Sequence, residues 1–126
     1  MEGEMRYLHN TSFSQVVSLE KRYREVMEMR QDRKSQAIET IWFVTKLIEM
    51  FYPGKIEARW FGSYEEPGVY GYPKVKVNAF HINSKKVLSS WEIDASGEVD
   101  PPFISADDVI SDIMIGLRRL KIFENF

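Results

Sequence analysis

Hydrophobic residues recur at two spacings along the chain, and the spacing changes near Gly54. Before this glycine, apolar residues return every three or four positions, which is the period of a helix with one buried face. After it, apolar and polar residues alternate, as they do in a half-buried strand. The helical period returns from Ser105 onward. The pattern predicts an α+β fold: two N-terminal helices, an antiparallel meander of three to four strands, and a C-terminal helix packed on the sheet.

Each N-terminal helix is predicted from an apolar face. The first face consists of Val16, Leu19, Tyr23 and Val26, with Glu20 among the charged residues of the predicted water-facing side. The second is wider and consists of Ala37, Ile41, Val44, Leu47, Ile48 and Phe51. Residues 30–35, "RQDRKS", contain no apolar residue, so we predict a break between the helices; one long helix is the alternative. Pro53 and Gly54 are expected to end the second helix.

Trp42 does not share the apolar face of the second helix. At about 100° per residue it falls among Glu39, Lys46 and Glu49. A large aromatic side chain on a polar face has two explanations. Another part of the chain, such as the first helix, covers it, or a partner molecule does.

Three strands are predicted after Gly54. In the first, Ile56, Ala58 and Trp60 alternate with Glu57, Arg59 and Phe61. The segments 75–82 and 87–94 follow and form a hairpin through the polar sequence "NSKK". A tight turn would place Phe80 and Ile82 on the face of Val87, Trp91 and Ile93, with His81 and Leu88 on the other face. Residues 95–99 are the candidate fourth strand.

The last helix is predicted to begin at Ser105, whose side chain can cap the backbone N–H of Asp108. Its apolar stripe consists of Val109, Ile110, Ile113, Leu117 and Leu120. Gly116 lies on the same stripe, where the missing side chain allows a close approach to the sheet.

Length and composition fit one soluble domain over residues 1–126, with residues 1–11 predicted to be frayed. The first residues carry acids where a signal peptide carries positive charge, and no apolar run has the roughly 20 residues that span a bilayer. These features predict a cytoplasmic protein without a membrane segment. The formal net charge is −2, and acids interrupt the basic cluster of the first helix, so nucleic acid is not the favoured partner.

Few residues offer catalytic chemistry. The chain has no cysteine and two histidines. His81, Glu92 and Asp94 are the residues to test as an acid–base pair or metal site, but the predicted hairpin separates them by two or more residue pairs. No nucleophile motif or phosphate-binding glycine pattern is present. We therefore predict no metal and no cofactor, and a structural role for His81.

The segment Gly62–Lys74, "GSYEEPGVYGYPK", is longer than an ordinary hairpin connection and rich in tyrosine. Tyrosine suits recognition because its ring buries a large area while its hydroxyl still forms a hydrogen bond. The alternative is that the tyrosines cover the core. The acids in this segment favour a basic partner. The candidate binding residues are Trp60, Phe61, Tyr64, Glu65, Glu66, Tyr70, Tyr72 and Trp42.

Three function classes follow from these candidates. The first is a non-catalytic protein-binding domain of the inhibitor, immunity, adaptor or phage-antagonist type. The second is a protein that binds a small ligand or nucleotide through the same aromatic residues, and the third is an enzyme with a site around His81, Glu92 and Asp94. A homo-oligomer built through the aromatic residues is compatible with each class.

Overall fold

The computed structural model describes residues 13–30, 32–67, 73–94 and 104–122. They form α1 (Phe13–Met29), α2 (Arg33–Met50), β1 (Ile56–Pro67), β2 (Pro73–His81), β3 (Lys86–Asp94) and α3 (Ala106–Arg119). The strands make one antiparallel sheet in the order β1-β2-β3. This arrangement confirms the predicted α+β fold. The candidate fourth strand, residues 95–99, and the predicted frayed segment, residues 1–11, lie outside the described residues.

The predicted break between the two N-terminal helices is confirmed. Asp32 caps α2, since its carboxylate accepts a hydrogen bond of 2.8 Å from the backbone N–H of Ser35. On the other side of the break, the Gln36 side-chain amide donates to the carbonyl oxygens of Met27 at 3.1 Å and Arg30 at 2.9 Å. One side chain of α2 therefore satisfies carbonyl groups at the end of α1 that have no partner within that helix.

Helix α2 lies at the centre of the packing. It contacts all three strands, α1 packs against it, and α3 packs against β3 and against α2. The predicted apolar face of α2 is buried. The core also receives residues from the sheet and from α3, among them Ile56, Val75, Val77, Leu88, Ile93, Val109, Ile113 and Leu117.

A second side of α2 is buried against α1. The rings of Phe43 and Tyr23 stack with their centroids 4.2 Å apart. The Tyr23 hydroxyl and the Thr40 hydroxyl form a buried hydrogen bond of 2.8 Å. The sequence pattern assigned neither Thr40 nor Phe43 to a buried face, because a helix that packs on two neighbours has no single apolar stripe.

The predicted faces of the hairpin are confirmed beside the turn, where Phe80 and Val87 share one face and His81 and Leu88 lie on the other, but they are wrong further along β3. Ala79 pairs with Ser89 and Phe80 pairs with Val87, so β3 has one residue more than β2 at this point. This β-bulge shifts the alternation by one residue. Leu88 is consequently buried, while Val87 is on the opposite face and exposed.

Beyond the bulge, Trp91 and Ile93 therefore do not share a face with Phe80, contrary to the prediction. They pair with Val77 and Val75, which are also buried. The Trp91 indole donates a hydrogen bond of 3.2 Å to Asp112 of α3, so this face of the sheet is the one covered by helices. We call the opposite face the outer face.

Helix α3 begins as predicted. The Ser105 hydroxyl accepts a hydrogen bond of 3.2 Å from the Asp108 backbone N–H. A second acceptor comes from α1: the Glu20 carboxylate accepts a 2.6 Å hydrogen bond from the Ala106 backbone N–H. Glu20 was predicted to face water, and the structure instead places it at the N-terminus of α3, where a negative charge is favourable.

No described helix is both long enough and apolar enough to cross a membrane. The single domain over residues 1–126 and the cytoplasmic location stay predictions.

Candidate functional site

Trp60 and Phe61 are neighbouring, half-exposed aromatic residues on β1. Their side chains are 47% and 53% exposed. Because successive strand residues point to opposite faces, Trp60 shares the face of buried Ile56, and Phe61 lies on the outer face. Trp60 pairs with Val77 and Phe61 with Lys76. The alternation in the sequence predicted their faces, but the exposure of Trp60 follows from its place on an edge strand.

Arg59 extends this surface on the outer face. Its guanidinium group lies 4.0 Å from the centre of the Phe80 ring and forms a 2.9 Å ion pair with Glu57. A second polar contact lies on β2 and β3, where the Ser90 hydroxyl donates a 2.6 Å hydrogen bond to the Asn78 side chain. The outer face therefore combines aromatic rings with polar groups that have partners, as recognition surfaces of proteins commonly do.

The tyrosine-rich segment begins on the same strand. The backbone of Tyr64, Glu65 and Glu66 belongs to β1, which ends at Pro67. The side chains of these three residues lie outside the described part of the structure, as do Tyr70 and Tyr72 entirely. The structure thus connects Trp60 and Phe61 to the start of the segment along one strand.

Trp42 is half-buried beside α1. The Arg22 guanidinium group lies 4.2 Å from the centre of its ring, and the Lys46 ammonium group lies at 5.9 Å. Arg22 also forms an ion pair of 3.5 Å with Glu39, which Arg30 contacts at 3.6 Å. Part of the first helix therefore covers Trp42, which is one of the two explanations for an aromatic residue on this polar face. The Lys46 contact lies within one helical face, as the sequence pattern predicted, but Arg22 belongs to the other helix, so no local pattern could reveal its contact.

His81, Glu92 and Asp94 are not brought together. His81 is buried beside the β2–β3 turn, where its Nδ1 accepts a 3.1 Å hydrogen bond from the Ser84 backbone N–H and lies 2.7 Å from the Ser84 hydroxyl. Glu92 is exposed and pairs with Lys76, five positions from His81 along β2, which corresponds to about 16 Å. The side chain of Asp94 lies outside the described residues.

Metal-binding chemistry gains no support from the described part of the chain. None of its histidine, aspartate and glutamate side chains form a group of three that could hold a metal ion. The contacts of His81 instead fit a residue that fixes the β2–β3 turn.

Comparison with models of protein families, with curated protein sequences and with solved structures gives no match.

Proposed function

We propose that this chain is a non-catalytic protein-binding domain whose recognition surface is centred on Trp60 and Phe61 and continues into the tyrosine-rich segment 62–74. The supporting observation is the half-exposure of these two large aromatic side chains at adjacent positions of an edge strand. Aromatic residues are enriched in protein interfaces because they bury much area with few rotatable bonds.

The chemistry around the two rings supports a partner with both apolar and basic groups. Arg59 is paired with Glu57, so its positive charge is largely compensated within the chain. Glu65 and Glu66 follow on the same strand and bring negative charge to the beginning of the segment. A partner that places a lysine or arginine beside an apolar side chain would complement this combination.

The proposal is tested with Phe61→Ser. Affinity capture from the native cell with mass spectrometry supplies the candidate partner, and the dissociation constant is then measured with purified proteins. We expect the Phe61 change to weaken binding by about 2 kcal/mol, or roughly thirtyfold, as for an interface hot spot. Because Phe61 is exposed, the melting temperature should stay close to that of the wild type.

Val87→Ser is the matched control. Val87 is also an exposed apolar residue on the outer face, but it lies on β3, at the other edge of the sheet. Its replacement should leave the affinity within about twofold of the wild type. Equal effects of the two changes would show that the partner does not recognise β1.

A further inference from the structure

Within the described ranges β1 pairs only with β2, and the backbone groups on its other edge, called the free edge, can be assigned. The Ile82 N–H donates a 2.9 Å hydrogen bond to the carbonyl of Lys55, so these residues form a hydrogen-bonded pair. In an antiparallel ladder such pairs alternate with non-hydrogen-bonded pairs. With the observed register, Glu57, Arg59 and Phe61 therefore direct their N–H and C=O groups toward β2. Ile56, Ala58 and Trp60 direct theirs away from β2. The Ile56 N–H donates a 3.3 Å hydrogen bond to the Tyr52 carbonyl, so the groups that face the edge are the Ile56 carbonyl and both backbone groups of Ala58 and Trp60.

Between Ile56 and Ser63 this edge has neither the proline nor the bulge that usually prevents strand pairing. The register with β2 is regular from Ile56 to Ser63, and the first irregularity lies between Ser63 and Pro67. Ile56, Ala58 and Trp60, whose side chains point toward the helix-covered face, are all apolar. The charged residues between them, Glu57 and Arg59, lie on the outer face. Edge strands of natural proteins are commonly protected by inward-pointing charges, prolines or bulges, so a regular apolar edge favours pairing with another strand.

We propose that a second copy of this chain pairs with β1 in an antiparallel arrangement about a two-fold axis at Ala58. The three described strands of each copy then join into one continuous sheet. This inference goes beyond the proposed function, because it concerns the backbone edge of β1. In the dimer Trp60 lies at the contact between copies, while Phe61 stays on the outer face of each copy, where a partner reaches it.

Charge complementarity favours this register over the two registers with an axis one residue away. An axis at Ala58 sets Glu57 of each copy opposite Arg59 of the other copy, and it does so at two symmetric places. The two residues form non-hydrogen-bonded pairs, in which side chains approach most closely. An axis at residue 57 would oppose two glutamates, and an axis at residue 59 would oppose two arginines. Like charges in directly opposed positions destabilise a strand pair.

The same register accounts for the exposure of Trp60. It places the Trp60 side chain of each copy opposite Ile56 of the other copy, on the helix-covered side of the joined sheet. The pairing therefore covers part of a Trp60 side chain that is 47% exposed in the single copy, whereas Ile56 is already buried in its own chain. The isologous contact uses one patch on both subunits, as two-fold symmetric dimers require.

The test uses two charge variants of the full chain, alone and mixed. Glu57→Arg gives a chain with arginine at both positions 57 and 59, and Arg59→Glu gives a chain with glutamate at both. Each variant alone therefore opposes like charges in the dimer. Sedimentation velocity should show a dimer for the wild type and a dissociation constant raised about tenfold or more for each variant. The equimolar mixture should recover the wild-type dimer, because each arginine then faces a glutamate of the other copy. Since the Glu57–Arg59 ion pair within one chain is lost in both variants, recovery on mixing reports contacts between chains.

Two controls complete the experiment. Glu92→Arg and Lys86→Glu change the charge in the same ways at exposed positions of β3 and should leave the dimer intact. Ala58→Pro removes an N–H that faces the free edge, and should give a monomer with a native circular dichroism spectrum.

A wild type that is monomeric throughout its soluble concentration range would overturn the proposal, and so would variants that do not recover on mixing. Each of these results leaves the Phe61 binding test unaffected, so the two proposals can fail separately.

Discussion

Gly116 of α3 lies directly against the backbone of Leu88 in the bulge of β3. A β-carbon added at Gly116 would overlap the carbonyl group and the α-carbon of Leu88. The Arg119 guanidinium group also reaches the Leu88 carbonyl, at 3.4 Å. The predicted close approach of the last helix to the sheet is thus confirmed, and the bulge is the part of the sheet that it meets.

Gly116→Ala is expected to destabilise the protein by about 1–3 kcal/mol, because the new methyl group meets backbone atoms that cannot rotate away. The change would otherwise favour the helix by up to about 1 kcal/mol, since alanine has the higher helix propensity. Urea unfolding measures the net result. Ile115→Ala is the neighbouring control: Ile115 is 56% exposed, so its replacement should change stability by no more than about 0.5 kcal/mol. A stabilised Gly116→Ala protein would contradict the contact with Leu88.

Glu20→Ala is expected to cost about 1–2 kcal/mol, because it removes the acceptor for the Ala106 N–H at the N-terminus of α3. Glu20→Gln keeps an acceptor oxygen and should recover part of this loss. Glu25→Ala, at an exposed position of the same helix, is the control for helix propensity. Unfolding free energies in urea compare the three variants. If Glu20→Ala and Glu25→Ala were equally stable, the hydrogen bond to Ala106 would contribute nothing.

Tyr23→Phe should cost about 1–2 kcal/mol at neutral pH, since the ring stack with Phe43 persists while the hydroxyl's hydrogen bonds to Thr40 and to the backbone of Ile104 are lost. Thr40 keeps its own 2.9 Å hydrogen bond to the Gln36 carbonyl. Urea unfolding of the wild type and the variant measures this difference.

The same pair of proteins gives a pH prediction. Burial raises the pKa of Tyr23, against the smaller lowering effect of the Thr40 hydrogen bond. Above about pH 10 the unfolded state loses the phenol proton while the folded state keeps it, so the stability contributed by Tyr23 decreases as pH rises. Phenylalanine has no such loss. The stability difference between wild type and Tyr23→Phe should therefore be constant from neutral pH to about pH 9 and shrink toward pH 11. A difference that grows in alkali would contradict the burial of the phenol.

Replacing Tyr64, Tyr70 and Tyr72 together with serine tests the tyrosine-rich segment. If these residues recognise the partner, binding should weaken by several kcal/mol while the melting temperature barely changes, because hot-spot aromatics commonly contribute 2 kcal/mol or more each without being strictly additive. Melting and binding are measured on the same preparation. A large loss of stability, with unchanged affinity in the folded fraction, would instead show that the tyrosines cover the core.

Periodicity in the sequence was sufficient for the order of elements, the helix break after α1 and the cap at Ser105, because each depends on neighbouring residues. It was not sufficient for the hairpin faces further along β3, since the bulge at Leu88 adds one residue that no local signal marks. The contact between Glu20 and Ala106 joins positions 86 residues apart, and a charged residue on a helix gives no sign of such a partner. For the candidate site, alternation predicted that Trp60 and Phe61 occupy opposite faces. The sequence could not predict the exposure of these side chains, because exposure depends on which strand lies at the edge of the sheet.

The contact between Gln36 and the end of α1 has a consequence for the order of folding. It joins positions 9 residues apart, and the Tyr23–Thr40 contact joins positions 17 apart, so both close short loops. Short loops cost less chain entropy to close than long ones. We expect the α1–α2 hairpin to form early as a cooperative unit, and the docking of α3 onto Glu20 to complete the structure.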